Sequence, residues 1–221
     1  MKISGSCSRY LTTGILCLGL VTVGTSQFSY VMAQAVSGTQ VVDNKEQAKA
    51  LYEQAIQYMS DSKTAKANQQ KIADLLNQSA NLGYAPAQVD LGKVYYFGLS
   101  GKKDDVAALE WFRKAAEQGD AKGQYHLGQM YTEGKAGLKE SEKEASVWYE
   151  KSANQGYAPA QYYLAILYMA GIDGIEKNPE KAIELLKKAA DQGDQEAINL
   201  LSKLQPVQPQ VQSGTSSPIS N

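Results

Sequence analysis

The stretch QYHLGQMYTEG, Gln124 to Gly134, carries the chain's one histidine, His126, next to a Leu-Gly pair and between tyrosines. Its surroundings recur. LGKVYYFG runs from Leu91 to Gly98 and LAILYMAG from Leu164 to Gly171, each without the histidine. Outward from these segments, Tyr95, Tyr131 and Tyr168 are spaced by 36 and 37 residues, and Gly83, Gly119, Gly156 and Gly193 by 36, 37 and 37. Each of the last three glycines closes a segment of one type, RKAAEQG, EKSANQG or KKAADQG. Two independent landmarks on one period make the chain a repeat array, in which no unit is expected to stand alone.

Each period contains two helices. Ala87, Leu91 and Tyr95 lie four apart on one face of the first, and Ala108, Trp111 and Ala115 share a face of the second. Asp104, Ser141 and Asn178 stand where second helices begin; Ser141 with Glu144 forms a capping box, and Pro179 suits a first helical turn. Gly98, Gly134 and Gly171 end the first helices. Gly92, Gly128 and Ala165 sit in mid-helix, where a small residue is warranted if another helix approaches closely. The extra residue of the 37-residue periods falls in the hairpin turn: Gly101 precedes Asp104 by three, whereas Gly137 and Gly174 precede Ser141 and Asn178 by four.

Composition bounds what such an array does. The chain has 221 residues, of which 20 % are charged, and a net charge of -1. Lys2 and Arg9 belong to a leader without acidic residues, so the remainder carries -1 minus 2, or -3. With no run of five Lys or Arg, this balance argues against a nucleic-acid partner.

The N-terminus reads as a secretory leader over residues 1–35. MKISGSCSR is a short basic start, YLTTGILCLGLVTVG from Tyr10 to Gly24 is apolar, and AQA, Ala33 to Ala35, offers a cleavage site after Ala35. The apolar run is shorter than the roughly 20 residues a membrane span needs, so no stable span is expected after cleavage. Both cysteines, Cys7 and Cys17, lie in the leader. The mature chain is therefore expected to lack disulfides, thiol chemistry and thiolate metal sites, and no metal or cofactor is implied.

The segments AQVDLGKVYYFG…ALEWFRKAAEQGD, GQYHLGQMYTEG…ASVWYEKSANQGY and AQYYLAILYMAG…AIELLKKAADQGD resemble the Sel-1-like repeat family, related to tetratricopeptide repeats. The resemblance implies an all-α, right-handed α-α superhelix of helical hairpins. Its domain over 44–204 would comprise a degenerate repeat 45–83, repeats 84–119, 120–156 and 157–193, and a capping helix 194–204. In the degenerate repeat Leu51, Ala55 and Met59 take the helix-A landmarks. A flexible segment 36–43 is expected before the array, and a disordered Gln/Pro/Ser-rich tail 205–221 after it. The chain departs from the family in its turns, with Gly-x-x-Gly for Gly-x-Gly. The third repeat also has Ala165 for glycine and Leu185 for tryptophan.

By the resemblance, the first helices line a concave groove. The residues facing it are Val89, Asp90, Lys93 and Tyr96, then Tyr125, His126, Gln129 and Thr132, then Tyr162, Tyr163, Ile166 and Met169. Tyrosine offers area with few rotatable bonds and a polar tip, which suits a protein or peptide partner. His126 shares its slot with Asp90 and Tyr163 and has no second histidine for a metal, so it reads as an ordinary groove residue. Trp111 and Trp148, 37 apart, read as core.

The implied function is an exported, non-catalytic binding scaffold, periplasmic or secreted, for a protein or peptide. The resemblance admits two others: a periplasmic neutraliser of a delivered toxin, and a β-lactam-binding or hydrolysing enzyme. For the last, SDSK (Ser60 to Lys63) fits Ser-x-x-Lys and SAN occurs at Ser79 and Ser152, but no Lys-Thr-Gly follows. NQS at Asn77 lies within an expected helix, an unsuitable place for glycosylation.

Overall fold

A computed structural model of the chain describes residues 25–60, 65–99 and 101–204, with side chains from residue 43 onward. The leader up to residue 24, with Cys7 and Cys17, Lys63, and the tail 205–221 lie outside the described residues. The described residues form helices α1 (Thr25–Ser60), α2 (Gln69–Asn81), α3 (Ala85–Phe97), α4 (Asp105–Glu117) and α5 (Ala121–Thr132). They continue with α6 (Glu142–Asn154), α7 (Ala158–Ala170), α8 (Pro179–Asp191) and α9 (Gln195–Leu204), and contain no strand. The chain divides into two compact units, 1–43 and 44–221, and the repeats occupy the second.

The second unit is an all-α solenoid of hairpins, a right-handed α-α superhelix. α1/α2, α3/α4, α5/α6 and α7/α8 are the hairpins, and from α2 to α9 each helix packs on its successor. The odd-numbered helices are the A helices of the repeat and the even-numbered ones the B helices. Backbone capping explains the sharp boundaries. Gly119 has φ +87°, and the amides of Gly119 and Asp120 donate to the carbonyls of Ala116 (3.0 Å) and Ala115 (3.1 Å), a Schellman end. Gly83, Gly156 and Gly193 repeat the conformation.

The turn tolerates its extra residue because both sides are tied to one anchor. The amides of Asp104, Ser141 and Asn178 donate to the carbonyls of Tyr95 (3.0 Å), Tyr131 (3.0 Å) and Tyr168 (2.8 Å). In the two longer turns the added length is taken up with Ala136 and Asp173 in left-handed conformation, at φ 55° and 53°. The Asp173 side chain then accepts from Ser141 Oγ (3.2 Å) and the Lys143 amide (3.0 Å), capping a helix of the preceding hairpin.

The mid-helix small residues face the aromatic or aliphatic residue of their own B helix. A Cβ on Gly92 would lie 2.5 Å from Phe112 Cε1, and one on Gly128 2.7 Å from Tyr149 Cε1. In the last hairpin the pair is Ala165 and Leu186, in the first Ala55 and Leu76, all four fully buried. Glycine is present where the facing residue is a ring and alanine where it is leucine, as close packing demands.

Three expectations are corrected. Residues 36–43 belong to the backbone of α1, although only Gln40 among them is a strong helix former. In the degenerate repeat the small position is Ala55 and the landmark tyrosine is Tyr58. Lys71 Nζ lies 4.4 Å from the centre of the Tyr58 ring, as Lys181 Nζ does from that of Tyr168. Met59 therefore falls one position past the landmark, where Tyr96 stands in the next repeat. Finally, Trp111 and Trp148 are half-buried flanks on the core of the preceding repeat, each beneath a lysine at 4.0 Å (Lys114, Lys151). The ring at the core is the next residue, Phe112 or Tyr149, each 1 % exposed.

Candidate functional site

The corrected register gives the A-helix face four rows. To the twelve residues named from the sequence it adds Tyr52, Glu53, Ile56 and Met59, at the positions of Val89, Asp90, Lys93 and Tyr96. Those four were missed because the first helix was read one residue out of register. The signal that finds them is the Ala55–Leu76 pair, which aligns with Gly92–Phe112.

Neighbouring rows reach one another. Tyr52 Oη donates to Asp90 Oδ2 (2.9 Å), and Lys93 Nζ to Asp90 Oδ1 (3.1 Å). Tyr96 Oη donates to Glu133 Oε2 (2.6 Å), which also holds Lys135 Nζ at 2.9 Å. That bond to Glu133 raises the Lys135 pKa above its ordinary range. Tyr125 is the hub of a ring cluster, with His126, Tyr149, Tyr157 and Tyr163 between 5.0 and 5.8 Å from it. Burial pushes its phenol well above the usual range, keeping it protonated.

The sixteen positions are not equally available. Val89 is 1 % and Tyr125 8 % exposed, so both are packing residues and the sequence assignment of them to partner contact is corrected. The reason is positional: they fill the seam between successive A helices, a placement that helical periodicity within one element does not reveal. Thr132 is half-buried, its hydroxyl bonded to the Gly128 carbonyl and 3.2 Å from Tyr149 Oη. Tyr163, Ile56 and Met59 are 36, 38 and 45 % exposed, while Asp90, Lys93, Tyr96, Gln129, Tyr162, Ile166 and Met169 are half-buried. The face is thus apolar at both ends, Ile56 with Met59 and Ile166 with Met169, and polar between.

His126 answers the question its isolation poses. Its ring stacks on Phe112 at 4.7 Å and 20°, and Nδ1 lies 2.8 Å from Gln129 Oε1, to which it donates as the protonated nitrogen. Burial lowers its pKa from 6.5 to about 4, against the opposing pull of the Gln129 bond. The imidazole is neutral at neutral pH and packed as an aromatic spacer.

Two clefts open on this face. One of ≈ 320 Å³ lies at the N-terminal ends of α3 and α5, between Tyr52, Asp90, Asp120 and Tyr157. The other, ≈ 490 Å³, lies between α1, α2 and α3 and is mostly apolar. The serines of the SAN segments line neither. Ser79 and Ser152 are fully buried, and each hydroxyl donates at 2.6 Å to a carbonyl of its own hairpin, Ala48 or Ala121. Ser60 Oγ donates to the Gln57 carbonyl. Among the described residues there is no cluster of three metal-capable side chains, and no helix is long and apolar enough to cross a membrane.

A buried polar ladder also went unread in the sequence. Gln88, Gln124 and Gln161 donate to the carbonyls of Ala80 (3.1 Å), Ala116 (3.4 Å) and Ala153 (3.3 Å), at the end of the preceding B helix. Each accepts from the glutamine ending the next one, Gln118 (2.7 Å), Gln155 (2.8 Å) or Gln192 (3.0 Å). Their spacings of 36 and 37 were the available signal. The ladder adds a second bond to carbonyls that already accept the Gly83, Gly119 and Gly156 amides, and ties each repeat to the next.

Comparison with known proteins agrees with this architecture. The Sel1 repeat model matches residues 37–57, 85–120, 121–157 and 158–194. The chain is similar to a protective antigen of uropathogenic Escherichia coli strains displaying an SLR fold, with TM-score 0.64 and 32 % identity over 71 % of this chain and 33 % of that one. It is also similar to a Sel1 repeat protein from Oxalobacter formigenes, with TM-score 0.63 and 27 % identity over 71 % of this chain and 62 % of the other. An ERAD-associated E3 ubiquitin-protein ligase component of Arabidopsis thaliana, HRD3A, is 39 % identical over 61 residues, 27 % of this chain and 9 % of that protein. The chain thus spans a small part of that curated relative and a third of the Escherichia coli antigen.

Proposed function

The chain belongs to the Sel1 repeat family of protein-interaction scaffolds, and we propose that its A-helix face binds an extended segment of a protein partner outside the cytoplasm. The observation that carries the reading is the arrangement of exposed and half-buried side chains along that face. Apolar pairs, Ile56 with Met59 and Ile166 with Met169, flank a polar middle of Asp90, Lys93 and Gln129. A partner segment with two apolar anchors and polar residues between them complements it, and the half-exposed rings of Tyr162 and Tyr163 supply rigid contact area.

Photo-crosslinking amino acids placed singly at Ile56, Gln129 and Met169 of the full chain test the face in its native cells. One and the same polypeptide is expected from all three sites and none from Val147, on a B helix. Replacing Tyr162 and Tyr163 with alanine should cut the yield by at least the tenfold that corresponds to about 1.4 kcal/mol. Equal capture at Val147, or capture indifferent to the two tyrosines, refutes the assignment. The basic start, apolar stretch and Ala-Gln-Ala of the leader support export. N-terminal sequencing of the protein from fractionated cells should begin at Val36; retention of Met1 in the mature protein would contradict export by cleavage.

A further inference from the structure

At two boundaries of the array a ring from a B helix lies against a ring from the next A helix: Phe112 on His126 at 4.7 Å, Tyr149 on Tyr163 at 5.6 Å. The same positions at the first boundary are Leu76 and Asp90. Against the second boundary three more positions are smaller: Met59 stands for Tyr96, Ala73 for Leu109, and Val94 for Met130; the third boundary has Thr132, Ser146 and Leu167 there. All five of the smaller residues line the ≈ 490 Å³ cleft. Its polar rim holds Lys66, Lys93 and Asp90. The Asp90 carboxylate is already engaged by Tyr52 and Lys93, so among the described residues the rim carries one excess positive charge, from two lysines against one aspartate.

We infer that this cleft is a specificity pocket for an aromatic side chain adjoining a carboxylate, supplied by the partner segment bound on the A-helix face. The inference rests on the function proposed above and names the chemistry of one anchor. A ring entering between Leu76 and Val94 takes the place of the stacked pair that the next two boundaries supply from their own sequence. Burying it there recovers apolar contact that Met59, 45 % exposed, leaves open to water. The carboxylate lies toward Lys66 and Lys93, which orient it and select against a cationic neighbour.

The test uses 3-phenylpropionate as the probe of ring and carboxylate together, 3-phenylpropylammonium as the same ring with opposite charge, and butyrate as a carboxylate without a ring. Methyl NMR of the full chain reads Met59, Ala73 and Leu76. Phenylpropionate should shift these methyls with the millimolar affinity of a small fragment. Phenylpropylammonium should bind several-fold more weakly, and butyrate should leave the methyls unmoved. The variant Ala55→Gly/Ala73→Leu/Leu76→Phe, which copies the next boundary together with the glycine that faces its ring, should fold and abolish the Met59 shift. Lys66→Gln in the otherwise intact cleft should reduce phenylpropionate affinity while sparing the ammonium probe. Absence of a Met59 shift in the unaltered chain, persistence of that shift in the filled variant, or equal affinity for the two charged probes would each overturn the pocket. Crosslinking at Met169 separates the two readings. Loss of capture at all face sites sinks the face itself, whereas capture undiminished by filling the cleft sinks only the pocket.

Discussion

The first boundary of the array and the two that follow are built on one backbone plan and filled differently. Phe112 with His126, and Tyr149 with Tyr163, close the later seams with stacked rings; Leu76 and Asp90 leave the first seam open. Glycine opposite the ring and alanine opposite leucine show that each hairpin adjusts its own interior to the residue it holds. The seam between hairpins has no such partner rule, because its filling comes from two different repeats. A repeat protein can therefore keep its spine while varying its seams, and a seam left open is a place for something else to enter.

The largest effect that separates the two kinds of seam is expected from truncation. Phe112→Ala should cost about 3–5 kcal/mol, and Leu76→Ala less, near 2 kcal/mol, because the truncation removes fewer buried atoms and the side chain stacks on no ring across the seam. Urea denaturation of the two variants compares them directly, and equal losses would erase the distinction. Next, Gly92→Ala should destabilise by about 1–3 kcal/mol, since its Cβ would stand 2.5 Å from Phe112. Adding Phe112→Leu should recover most of that loss, as the native Ala165–Leu186 pair implies; failure to recover would break the pairing rule.

His126 sharpens the comparison through pH. Its folded pKa of about 4 lies below the ordinary 6.5, so the unfolded chain binds the proton more readily between those values. Its stabilising contribution is complete above pH 6.5, falls as the pH drops through that window, and is lost below about 4. The difference between the unaltered chain and His126→Phe should change by about 3 kcal/mol across the window, in favour of the variant at low pH. A pH-independent difference would mean that the imidazole is not held neutral by its stack. The smallest effect is a gain: Ala73→Leu, filling part of the open seam, should raise stability by about 0.5–1 kcal/mol in the same urea titration.

Much of the hairpin plan was readable from residues alone. The capping positions Asp104, Ser141 and Asn178, the terminating glycines, and the turn as the site of the extra residue all follow from local backbone chemistry. The candidate face was legible in part. Asp90, Lys93, Tyr162, Ile166 and Met169 have the partial exposure expected of them, whereas Val89 and Tyr125 are consumed by the seams. Tyr52, Ile56 and Met59 were out of reach because the first A helix has no preceding repeat. Ala50 and Gln54, at the positions of the buried Ala87 and Leu91, are exposed there, and the apolar landmarks that set register elsewhere are missing.

The order of residues by itself determined the period, the hairpins and their ends, because those depend on φ/ψ preference and on hydrogen bonds within a few residues. Tertiary structure alone decided which rings are spent on packing, how the glutamine ladder joins repeats, and where a cleft remains. Those outcomes depend on the summed volumes of side chains from different hairpins, meeting across a seam.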